Sequence, residues 1–129
     1  MNFQKFVNEL LAGSQLSEGA IIEVSSKKVT KSDNLFFEDG ELEKIIDLFK
    51  QPNDVTTKGI HVDGINYKGS KEAEDDTLYG QRSGVGGVIL LQTKAAKLII
   101  VGVYDESIKK SNASKATKTV GDKLSKDGY

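Results

Sequence analysis

The stretch from residue 59 to residue 104 constrains the fold more than any other part of this 129-residue chain. Apolar and β-branched residues gather there in short runs, at 60–62, 65–67, 78–82, 88–93 and 98–104, each the length of a strand. The segments between them are short and polar or glycine-rich: Asp63-Gly64, a charged loop from Lys71 to Asp76, Gly84-Val85-Gly86-Gly87, and a turn over 94–97. No helical pattern intervenes. Parallel neighbours require a crossover of a dozen or more residues, so runs joined this tightly pair antiparallel and form a meander. Asp63-Gly64 between alternating apolar residues is a strong two-residue hairpin signal. Residues 98–104 are the most apolar run and read as an interior strand.

Helical spacing appears on either side of the meander. Phe3, Phe6, Val7, Leu10 and Leu11 form one apolar stripe with Gly13 as its stop. A buried strand at 19–24, a polar turn at Ser25-Ser26-Lys27-Lys28 and a returning strand at 29–32 follow. Asp39 is placed to cap a helix carrying Leu42, Ile45, Ile46 and Phe49. Glu41 and Glu43 lie in its first turn, Lys50 in its last, and Pro52 just beyond. In the last segment Asn112 is placed as a cap, and Ala113, Thr117, Val120 and Leu124 share a face with Lys115, Lys118, Asp122 and Lys126 opposite. The order helix, strands, helix, strands, helix predicts an α+β fold, a central antiparallel β-sheet with helices covering its faces, in a single domain over 1–129.

The chain is poor in catalytic groups. It has no cysteine, hence neither disulfides nor thiolate chemistry. His61 is the only histidine, so no histidine metal cluster is expected, and no serine sits in a nucleophile elbow. Glu72, Glu74, Asp75 and Asp76 lack the ligand spacing of a calcium loop. Gly84, Gly86 and Gly87 precede a strand rather than a helix and lack the phosphate-binding lysine. These readings predict no enzyme, no cofactor and no metal. With net charge −1 and few aromatics, nucleic-acid binding is not expected. No apolar run approaches the roughly 20 residues that span a bilayer, and the first residues lack signal-peptide blocks, so the expectation is a cytoplasmic, not transmembrane, protein. Charge is uneven. Glu38, Asp39, Glu41, Glu43, Glu72, Glu74, Asp75 and Asp76 make 38–76 acidic, whereas Lys109, Lys110, Lys115, Lys118, Lys123 and Lys126 make 109–126 basic. Such asymmetry orients a charged partner.

Several segments, in order along the chain, resemble the profilin family. The opening Met1-Asn2-Phe3-Gln4-Lys5-Phe6-Val7 is similar to Met-Ser-Trp-Gln-x-Tyr-Val, and Gly59-Ile60-His61-Val62-Asp63-Gly64-Ile65-Asn66-Tyr67 to Gly-Leu-x-x-Gly-Gly-x-Lys-Tyr. Leu78-Tyr79-Gly80-Gln81-Arg82 with Gly84-Val85-Gly86-Gly87-Val88 resembles the family's glycine-rich hairpin, and Gln92-Thr93-Lys94 its Lys-Thr turn. Ile99-Ile100-Val101-Gly102-Val103-Tyr104-Asp105-Glu106 is similar to Ile-Ile-Gly-Ile-Tyr-Asp-Glu-Pro, with Ser107 in place of the proline, and Val120-Gly121-Asp122-Lys123-Leu124 resembles Leu-Gly-Asp-Tyr-Leu. A shortened segment between Leu11 and Gly19 and an insertion around 95–97 suggest a divergent, archaeal-type member.

The resemblance implies a sheet with the N- and C-terminal helices on one face and a further helix on the other. It implies binding to monomeric actin or an actin homologue, regulation of polymerisation by suppressing nucleation while allowing barbed-end growth, and a place in the cytoskeleton. By position the actin face would include Thr57, Lys68, Gly69, Lys71, Arg82 and Leu90, with Ser114, Lys115, Lys118 and Thr119 on the last helix. The family's polyproline site would fall on Phe3, Phe6 and Tyr129. Here Thr30 and Lys123 stand where aromatics or histidine are usual and phenylalanine lacks the indole N–H, so polyproline binding is expected to be weak or absent. Phosphoinositide binding is a further family property, for which Lys27, Lys28, Lys31, Lys109, Lys110, Lys115 and Lys118 supply charge, at about 1 kcal/mol each near an anionic surface. The alternative is a scaffold of the roadblock or longin sort that dimerises or docks on small GTPases.

Overall fold

The computed structural model describes residues 2–72 and 76–129. Residues 73–75, and with them Glu74 and Asp75 of the acidic loop, lie outside the described residues.

Among the described residues seven strands form one sheet: β1 (Glu18–Glu23), β2 (Val29–Lys31), β3 (Ile60–Val62), β4 (Ile65–Lys71), β5 (Thr77–Arg82), β6 (Gly86–Gln92) and β7 (Leu98–Asp105). Their order is β2-β1-β7-β6-β5-β4-β3, and every neighbouring pair is antiparallel. The meander β3 to β7 thus runs as its short connections require, and β1 with β2 adds to the far side of β7. Asp63 and Gly64 both take positive φ, 53° and 75°, the pairing a two-residue hairpin turn demands.

Because successive residues of a strand point to opposite faces, one register divides the core in two. Leu98, Ile100 and Tyr104 of β7, with Ile89, Leu91, Tyr79 and Ile21, pack under α1 (Gln4–Ala12) and α4 (Lys110–Lys126) through Phe6, Val7, Leu10, Ala113, Val120 and Leu124. Ile99 and Val101, with Ala20, Ile22, Leu78, Val88 and Leu90, pack under α2 (Glu41–Lys50) and the single-turn α3 (Val55–Lys58). The terminal helices share one face, as expected, and α2 covers the other. Strands covered on both faces are apolar at both parities, which is why β7 reads as a continuous run.

Two local expectations are corrected, and one stretch that no expectation covered is helical. Residues 52–58 carry a 3-10 turn (Pro52–Asp54) and α3, helical turns too short for any periodic signal. Asp39 does not cap α2. Its N-cap is Gly40, at φ 87°, with no side-chain cap bond. Asn112 lies inside α4, which starts at Lys110 after an extended Lys109, also without a side-chain cap.

Glu41 lies in the first turn as expected, and it has a further role. It is buried rather than solvated in the first turn of α2. Its carboxylate accepts the backbone N–H of Glu38 at 2.8 Å, of Asp63 at 2.8 Å and of Gly64 at 3.0 Å. One side chain thereby ties the start of α2 to the β3–β4 turn. Removing it strands these donors, so Glu41→Ala is expected to lower unfolding free energy in urea by about 1–3 kcal/mol. Glu41→Gln should lose less, since an amide keeps one acceptor oxygen. Equal stability of Glu41→Ala and the unaltered chain would show that water replaces the carboxylate without cost.

Candidate functional site

The site grows out of how α4 sits on the sheet. Ala113, Thr117, Val120, Gly121 and Leu124 are buried against β6 and β7. Two close approaches make this possible. A Cβ on Gly102 would stand 2.6 Å from Thr117 Oγ1, and one on Gly121 would stand 2.6 Å from Leu91 Cδ2. With that stripe seated, Lys115 and Thr119 are exposed and Ser114 and Lys118 half-buried along the flank.

The sheet beside α4 continues this surface. In β4, Tyr67 and Gly69 are buried whereas Lys68 and Ser70 are exposed. Lys68 pairs with Gln81 and Ser70 with Tyr79, and Tyr79 belongs to the α1/α4 side of the sheet. Lys68 and Ser70 therefore project on the same side as α4.

Ser114, Lys115, Lys118 and Thr119 line one hollow, together with Tyr79, Lys110 and Glu72. The Tyr79 hydroxyl lies 3.3 Å from Ser114 Oγ. Lys110 Nζ stands 4.3 Å above the Tyr79 ring and is paired with the Glu72 carboxylate. The hydrogen bond from Lys110, then its charge and more distantly that of Lys118, hold the Glu72 carboxyl below its ordinary value. Thr57, Lys68 and Gly69 border a second hollow with Thr56, Gly59 and Asn66. Lys71 is half-buried at the end of β4, opposite Leu78, and Arg82 is exposed at the end of β5, donating from Nη1 to the Asn66 carbonyl at 3.2 Å.

Two residues expected on the surface are not there. Leu90 has no exposure and packs in the α2/α3 core, because its parity on β6 points it away from α4. Gly69 is buried beneath α3, where a Cβ would stand 2.2 Å from the Val55 carbonyl oxygen. Neither offers a side chain at the surface. Conversely, Tyr79, Lys110 and Glu72 were not foreseen in the site. Tyr79 reads only as a strand residue, and contact between Glu72 and Lys110 depends on the fold.

The aromatics of the terminal helices are packed. Phe3 and Phe6 belong to the α1/α4 core. Half-buried Tyr129 meets Phe3 edge-on, with ring centres 5.4 Å apart. Lys123 Nζ reaches Glu9 Oε2 at 3.1 Å, a bridge between α4 and α1. Gly87, at the start of β6, serves packing too: the Tyr104 ring fills the space above it, where a Cβ would lie 2.3 Å from the Tyr104 hydroxyl oxygen. Burial pushes the Tyr104 hydroxyl above its ordinary pKa. Among the described residues no three His, Cys, Asp or Glu gather as a metal site would require, and no helix is long and apolar enough to cross a membrane.

The sequence model of the family described as Profilin matches residues 1–129. The chain is 35% identical over 130 residues to Profilin-1 of Dictyostelium discoideum, with the whole of both chains covered. The chain belongs to the profilin family. It is also 35% identical over 129 residues to Profilin-A of Physarum polycephalum, again over the full length of both. Among solved structures, Schizosaccharomyces pombe profilin superposes with TM-score 0.88 at 26% identity, covering 99% of this chain and 100% of that one. Acanthamoeba castellanii profilin IB gives 0.87 at 24%, with 99% and 100% covered. LokiProfilin2, in complex with rabbit actin, gives 0.82 at 16%, with 98% of each chain covered. The profilin resemblance of the short segments is thus shown for the whole chain, and the roadblock or longin alternative is not favoured.

On this profilin surface the buried residues should answer to stability assays. Leu90→Ala is expected to cost about 2–5 kcal/mol in urea unfolding, and Gly69→Ala about 1–3 kcal/mol through overpacking against Val55. A Leu90→Ala variant as stable as the unaltered chain would contradict the assignment of Leu90 to the core.

Proposed function

We propose that this profilin binds one actin monomer, or an actin homologue, through the outward flank of α4 together with β4 and β5. Bound there, it suppresses spontaneous nucleation and leaves growth at filament barbed ends open. The observation that carries this reading is the match to the profilin family over residues 1–129. It is supported by the shared fold of LokiProfilin1 and LokiProfilin2, both of which have structures in complex with rabbit actin. The residues fit the role. Lys115 and Thr119 are exposed with Ser114 and Lys118 beside them, and Lys68 and Thr57 border the neighbouring hollow. Cations arranged this way steer and orient an acidic partner, acting on association and register more than on raw affinity. In this reading the protein acts in the cytoplasm, at the cytoskeleton.

Polyproline binding is weak or absent in this reading. Phe3 and Phe6 are buried and the Glu9–Lys123 pair bridges the helices between which such a ligand would stack. The chain should pass through immobilised polyproline without retention; retention would contradict this. Phosphoinositide head groups are a second class of ligand. Lys27 and Lys28 at the β1–β2 turn and Lys31 on β2 form one cationic region, and Lys109 before α4 with Lys110, Lys115 and Lys118 of α4 another.

The test is nucleation of labelled actin, preferably from the same source, with increasing protein, and calorimetry of the pair. Inhibition of spontaneous assembly with continued barbed-end elongation is expected, and the absence of both inhibition and heat of binding would reject the function. Replacing Lys115 and Lys118 together by Glu should weaken binding by about tenfold or more, since each 1.4 kcal/mol is a factor of ten. Unchanged affinity would place the actin face elsewhere.

A further inference from the structure

Lys110 was expected among the lysines for an anionic lipid but not on the actin face, yet it lines the same hollow as Ser114, Lys115, Lys118 and Thr119. Two contacts hold it there. Its ammonium lies over the Tyr79 ring at 4.3 Å, and it pairs with the Glu72 carboxylate, which belongs to the segment between β4 and β5. The Tyr79 ring is itself buried and lies on the sheet, with its hydroxyl beside Ser114, so it gives the cation a rigid seat. Glu72 differs. Its side chain is 57% exposed, and that of Lys110 is 41% exposed. An ion pair so open to water contributes little to folding. Yet the same carboxylate lies in the field of Lys118 as well as Lys110. It therefore occupies, from within the chain, the place a partner's carboxylate would take.

We propose that Glu72 and Lys110 form a displaceable latch over this surface. Lys110 is a further docking cation, preset by Tyr79, and Glu72 is an intrachain competitor for the acidic group of the partner. Docking exchanges one weak exposed pair for a pair enclosed by the interface, and Glu72 swings into solvent. Losing the competitor should then tighten binding rather than weaken it, which is the reverse of what a residue contributing only to the fold would do. The inference rests on the proposed actin-binding function and deepens it.

The experiment is a double-mutant cycle with Glu72→Gln, Lys110→Gln and the double variant, reading affinity for monomeric actin by calorimetry and fold by thermal melting. Glu72→Gln is expected to bind about two- to fivefold tighter, the range that an exposed pair's contribution allows. Lys110→Gln is expected to bind several-fold more weakly, and the gain from Glu72→Gln should vanish in its presence. All variants should melt within a few degrees of the unaltered chain. If the unaltered chain binds actin but Glu72→Gln is unchanged or weaker, the latch is overturned and the function stands. If the gain persists in the Lys110→Gln background, Glu72 acts through overall charge and the latch is likewise overturned. If no variant binds actin at all, both fall together.

Discussion

The register of β7 is the constraint from which the rest of the structure follows. It pairs with β1 along one side and β6 along the other, and of its residues only Val103 and Asp105 escape full burial. A shift by one residue would exchange Leu98, Ile100 and Tyr104 for Ile99, Val101 and Val103 beneath α1 and α4, and would carry Gly102 to the wrong face. Gly102 is the point at which Thr117 approaches the sheet, so the seat of α4 depends on it. The side of α4 that remains outward, and with it the site, is therefore decided in the middle of the sheet.

The proposed surface is correspondingly a matter of placement more than of strong single contacts. Exposed ion pairs such as Lys110 with Glu72 or Lys123 with Glu9 are weak in water, and salt screens them further. Their effect lies in holding lysines at set positions along a rigid helix and beside a rigid strand pair. Buried aromatics give that rigidity: Tyr79 beneath Lys110, and Tyr104 fitted over Gly87. Of the glycines that invite comparison with a phosphate loop, Gly87 makes room for the Tyr104 ring, whereas Gly84 and Gly86 take positive φ.

Much of the fold was legible because strong periodic signals and tight connections coincide. The strand runs from 60 to 104 allowed one pairing scheme, and the spacing of Ala113, Thr117, Val120 and Leu124 marked the buried side of α4. What escaped the sequence has a common cause: it depends on distant backbone. The single-turn α3 lies on β4 only because Gly69 leaves room for the Val55 carbonyl. Glu41 looks like a first-turn carboxylate favoured by the helix dipole until the β3–β4 turn is brought against it. Leu90 was expected on the surface by position along the family pattern, whereas its parity on β6 turns it inward. Glu72 and Lys110 are 38 residues apart and meet only once β4 and α4 are assembled. The lysines of α4 were visible as a basic run, but their separation into outward and flanking positions required the helix to be seated.

Lysine footprinting tests the central claim most directly. Acylation of the protein alone and with saturating monomeric actin, read by mass spectrometry, reports which ammonium groups the partner covers. Protection of Lys68, Lys115 and Lys118, with Lys27, Lys28, Lys44 and Lys50 still reactive, is the expected result. Protection of Lys27, Lys28 and Lys44 with Lys68 and Lys115 left reactive would contradict the proposed face.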